Sequence, residues 1–69
     1  MGYEDDSWRE VWRSRSDYEL EETLSHYLWL AANSSIHHQA RIRQLIEEAE
    51  RRGRPEIVER AKKKAGVAI

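Results

Sequence analysis

The sequence predicts an all-α fold: a short N-terminal helix, a long central helix and a short C-terminal helix, in a helical bundle completed by self-association. Three observations predict it. Apolar residues recur at helical spacing with no strand-like alternation, two Ser-x-x-Glu patterns precede apolar runs, and neither Gly nor Pro occurs between Gly2 and Gly53.

The first helix is expected at about residues 7–14. Ser7 is followed three residues later by Glu10, a capping box, and Trp8, Val11 and Trp12 then share one helical face. Two turns are too short to be stable in isolation, so the tryptophans must dock on another element.

The central helix is expected at about 17–52. Ser16 with Glu19 makes a second capping box, and Asp17 and Glu21 place negative charge in the first turn. At roughly 100° per residue, one stripe collects Leu20, Leu24, Tyr27, Leu28, Ala31, Ser35, His38, Ile42, Leu45, Ile46 and Ala49. Because the apolar residues on either side of Asn33 keep one rotational phase, the stretch L-A-A-N-S-S-I-H-H-Q-A reads as the polar waist of a continuous helix. The competing reading is a break near 33–35, with Asn33 ending one helix and Ser34 or Ser35 capping the next. The stripe steps in a 4,3 heptad manner with one additional 4, a coiled-coil stutter at Ser35 and His38. A second stripe of Trp29, Ile36 and Ala40 makes the middle apolar on two faces, which calls for two neighbours.

Arg51-Arg52-Gly53-Arg54-Pro55 marks the next boundary: Gly53 suits a left-handed helix end and Pro55 a first turn. The last helix is expected at about 55–65, with Ile57, Val58, Ala61 and Ala65 on one face and Gly66 as its stop. Val67, Ala68 and Ile69 then form a short apolar tail.

With 69 residues the chain makes a single small domain, near the size at which one core barely outweighs chain entropy. It has no cysteine, which excludes disulfides and thiolate zinc sites and leaves a partner chain, or histidine–carboxylate metal ligation, as the source of added stability. On a continuous helix His26 and His37 lie roughly 16 Å apart along the axis and cannot share a metal ion. A turn at 33–35 would let His26, with Glu22, approach His37 or His38. Neither a metal nor a cofactor is expected. Nor is catalysis: the serines are mostly spent as caps, no Gly-rich phosphate loop is present, and Glu19, Glu22, Glu47, Glu48 and Glu50 read as a solvated face.

Charge is unevenly placed. Residues 1–25 hold eight acids against three arginines, a net −5, whereas residues 41–69 hold nine bases against five acids, a net +4. Complementarity to helix dipoles accounts for this, and so does antiparallel or head-to-tail pairing of copies. Arg51, Arg52, Arg54, Arg60, Lys62, Lys63 and Lys64 are candidate phosphate contacts, diluted by Glu56 and Glu59. Ala65-Gly66-Val67 resembles the turn after the first helix of many helix-turn-helix domains, over three residues only and with no recognition helix after it. The acidic front, including Glu4, Asp5, Asp6 and Glu10, would instead suit a basic surface. No run reaches the ~18 apolar residues of a membrane span, and the acidic N-terminus is unlike a signal peptide, so a cytoplasmic location is expected.

These readings converge on a small non-enzymatic helical protein–protein interaction module, of regulator, adaptor or inhibitor type, acting as a homodimer. Leu24, Leu28, Ile42, Leu45 and Ile46 would form the seam between copies, His38 with Ser35 would fix register, and Trp8, Trp12 and Trp29 would be the anchors. The alternative is a small nucleic-acid-binding regulator using the basic C-terminal third.

Overall fold

The computed structural model describes residues 2–35 and 37–66, with side chains from Ser7 onward. They form four helices: α1 (Gly2–Ser14), α2 (Asp17–Asn33), α3 (Gln39–Arg51) and α4 (Glu56–Ala65). The largest contact sets α2 against α4, and α3 packs on both α1 and α2.

The local rules that set most boundaries are visible in the backbone. Ser16 caps α2 with the reciprocal box: its hydroxyl accepts from the Glu19 N–H, and the Glu19 carboxylate accepts from the Ser16 N–H. Gly53 and Gly66 both take φ of 72°, the left-handed conformation that lets a helix end without a Cβ clash. Pro55 stands at the entrance to α4, where its missing N–H costs nothing. The first helix starts earlier than expected, at Gly2, so Ser7 lies within it and caps nothing. The apolar tail at 67–69 lies outside the described residues.

The long central helix is not continuous. α2 ends at Asn33 and α3 begins at Gln39, after an irregular connection. The cause is local competition for carbonyls: the Asn33 amide donates to the Trp29 carbonyl, and the Ser34 hydroxyl and N–H both donate to the Leu30 carbonyl. Side chains that bond the preceding turn offer the backbone an exit, and Ser34 leaves in an extended conformation, φ −148° and ψ 178°. A rod over 17–52 would be about 54 Å long; the longest dimension of the molecule is 31 Å.

Both halves of the expected stripe therefore turn inward to one core. Leu20 and Leu24 of α2 meet Leu45 and Ala49 of α3, Ile57, Val58 and Ala61 of α4, and Trp12 of α1. A shared phase needs only two helices that each face the same interior. The proposed seam between copies is corrected accordingly: Leu24 and Leu45 are fully buried within the chain, and Leu28, Ile42 and Ile46 pack against the same core. The radius of gyration, 11.5 Å, is close to the ~11 Å of a compact domain this size.

Candidate interaction surface

Trp12 is buried at the α1–α3 contact, where its indole N–H donates to the Gln44 side-chain oxygen at 3.2 Å. Trp8 stacks on it at 5.1 Å between ring centroids, and the Arg41 guanidinium lies 4.0 Å over the Trp8 ring. The Tyr27 ring meets Trp12 and His38 edge-on, at 6.5 and 4.9 Å, and its hydroxyl accepts from Arg41. Trp8 and Trp12 are thus anchors inside the subunit. His38 stands at the N-cap of α3 and packs on Tyr27, while Ser35 is exposed in the connection, so the two do not form a register-setting layer in a rod. Among the described residues, no three histidine or carboxylate side chains converge as a metal site would.

The charged residues also find partners within the chain. Arg52 joins three elements: Nε donates to Glu48, Nη1 to Asp17, and Nη2 to the carbonyls of Trp12, Arg13 and Arg15 at the end of α1. The Trp12 and Arg13 carbonyls belong to the last turn of α1, which has no intrahelical donors for them. Glu48, expected on a solvated face, is instead buried beneath Arg51 and Arg52, whose hydrogen bonds hold its carboxyl down to about 2. Glu21 is buried likewise; Lys64 and Arg60 of α4 donate to it and lower its pKa, and Lys64 also reaches Glu22. The opposite charges of the two chain ends are therefore brought together inside one subunit. Arg51, Arg52, Arg54, Arg60 and Lys64 each have a carboxylate partner, so their charge is offset before any phosphate could approach. Lys62 is half-buried and Lys63 exposed on α4.

A cleft of about 70 Å³ between α1 and α3, floored by Trp12 and Gln44, is too small for a drug-sized ligand. What the fold leaves outward is aromatic. Among the described residues the exposed large hydrophobics are Tyr18 and Trp29, at 67% and 49% of full exposure. Both belong to α2; eleven residues apart, they share its outer face about 16 Å from each other along the axis. Ser25 and Ala32 lie on the same face by the same spacing.

A second signal surrounds Trp29 and was legible in the sequence: from Thr23 to Ala40 there is no Asp, Glu, Lys or Arg, in a chain that is 36% charged. The last turns of α2 and the connection to α3 thus contribute no acidic, lysine or arginine side chain of their own, and Trp29, Ala32, Asn33, Ser34 and Ser35 are exposed there. Charge depletion around an aromatic residue is the composition of an interface centre. Ile36, the second member of the expected Trp29 stripe, lies outside the described residues, and Ala40, the third, is exposed. No protein-family model, curated protein or solved structure matches the chain.

Proposed function

We propose that the protein is a small, non-enzymatic helical protein–protein interaction module, of regulator, adaptor or inhibitor type, that acts as a homo-oligomer through the outer face of α2. The observation that supports this reading is Trp29: a tryptophan left half-exposed, in a stretch of sequence without acidic, lysine or arginine residues, by a fold that packs Trp8 and Trp12 within its own subunit. A tryptophan of this kind gains most when a partner desolvates it, and such residues dominate interface energies. The nucleic-acid alternative draws less support, because five of its seven candidate contacts are engaged by carboxylates of the same chain.

The test is association by the full chain carrying Trp29→Ala. Truncation of a central tryptophan is expected to weaken binding by at least ~2 kcal/mol, about 30-fold, with unchanged helicity. Quantitative pull-downs from the native host and self-association assays, run side by side, measure it. Equal recovery of every partner, self included, by the variant and the parent chain would reject the Trp29 surface.

A further inference from the structure

The cleft between α1 and α3 holds a positive charge that the fold leaves over. Arg9 and Arg13 line it from α1, and Glu47, Glu48 and Arg51 from α3. Glu47 accepts from Arg9 at 2.9 Å, and Glu48 accepts from Nε and Nη2 of Arg51 at 3.0 and 2.6 Å. Arg13 is exposed and, among the described residues, has no carboxylate partner. Three guanidiniums thus face two carboxylates, one positive charge in excess on a chain whose net charge is −1. The recess has room for more than water: its volume of about 70 Å³ is several times the ~15 Å³ that one water requires. Its floor is the buried Trp12–Gln44 hydrogen bond, so an ion seated there has protein of low dielectric on one side, where charges attract more strongly than in open water.

We infer that this cleft binds one carboxylate group, with Arg13 as its principal partner. The two oxygens of a carboxylate match the parallel N–H donors of a guanidinium, and its single negative charge equals the excess. A phosphate dianion would exceed that charge and meet Glu47 and Glu48 as like charges. Arg51 keeps its Nη1 outside the two bonds to Glu48 and is the second donor of the site. A small free acid and an aspartate or glutamate side chain of another protein offer the same group. The site belongs to α1 and α3, so it stands or falls separately from Trp29 on α2. Pairs this exposed contribute little in water, and acetate is expected to bind with a Kd on the order of 10 mM.

Titration of the ¹⁵N-labelled full chain with acetate, at fixed ionic strength with chloride making up the balance, reads the site through the indole N–H of Trp12 on its floor. A saturable shift of that resonance is expected. Arg13→Gln should weaken binding at least ~10-fold with unchanged circular dichroism, whereas Arg43→Gln, exposed on α3 but outside the cleft, should leave it as it was. Glu47→Gln carries the opposite sign: it removes a competing carboxylate, raises the excess to two charges and should tighten binding about 3-fold, which a purely structural role for Arg13 would not produce. Aspartate blocked at both backbone ends, titrated alongside, separates the sources: binding tighter than acetate assigns the site to protein side chains, and weaker binding assigns it to free small acids. No saturable shift up to about 200 mM acetate overturns the inference, as do equal losses in Arg13→Gln and Arg43→Gln or weaker binding by Glu47→Gln.

Discussion

At the scale of single residues, Arg52 ties three helices together. Its guanidinium serves the end of α1, Asp17 at the start of α2 and Glu48 of α3 at once, through donors spread across a rigid plane. Lysine concentrates its donors on one atom and cannot span these acceptors. Arg52→Lys is therefore expected to cost about 2–3 kcal/mol, read as a lower urea midpoint. Glu48 makes a pH prediction. Its folded pKa of about 2 lies below the ordinary 4.5, so its contribution is complete above that ordinary value and is lost as pH falls toward the folded one. Thermal melts of the parent chain and Glu48→Gln should differ at neutral pH, with the parent more stable, and converge near pH 2. Neither role was legible from the sequence: spacing placed Glu48 on the solvent side, because period counting treats a carboxylate as polar and cannot see two arginines arriving to pair it.

At the scale of elements, the connection between α2 and α3 is the point where sequence reasoning and structure part. Apolar phase was the wrong discriminator, since a folded-back pair and a rod both satisfy it. The better signal was Asn33-Ser34, whose side chains bond the carbonyls of Trp29 and Leu30 and compete with helix continuation. Two glycines inserted after Ser35 should consequently change the melting temperature little, because lengthening a short loop costs well under ~1 kcal/mol. In a rod the same insertion would rotate the halves by about 200° and destroy the stripe. The Ser16 box, Gly53 and Gly66 were readable because each solves a problem confined to a few neighbouring residues.

For the whole molecule, the opposed charges of the two chain ends become the α2–α4 contact, where Glu21 and Glu22 face Arg60 and Lys64. Arg60 and Lys64 remain substantially exposed, so salt screens them, and raising NaCl to about 1 M should lower the melting temperature by a few degrees. Reversal of that trend, a steady rise with NaCl, would show that the ion pairs contribute less than apolar burial gains from salt. The all-helical class and the need to bury the tryptophans were evident in advance. Which partner buries them was not, because helical periodicity says that a face is covered and is silent on whether the cover comes from the same chain.

The order of the helices has a consequence for synthesis. The largest contact joins α2 to α4, with α3 between them along the chain. Until α4 has been made, α2 lacks its chief packing partner, and Leu20 and Leu24 have only part of their cover. Division of the polypeptide at the 34–38 connection would separate α2 from both α3 and α4. The core around Leu20 and Leu24 therefore closes only once α4 is available to it.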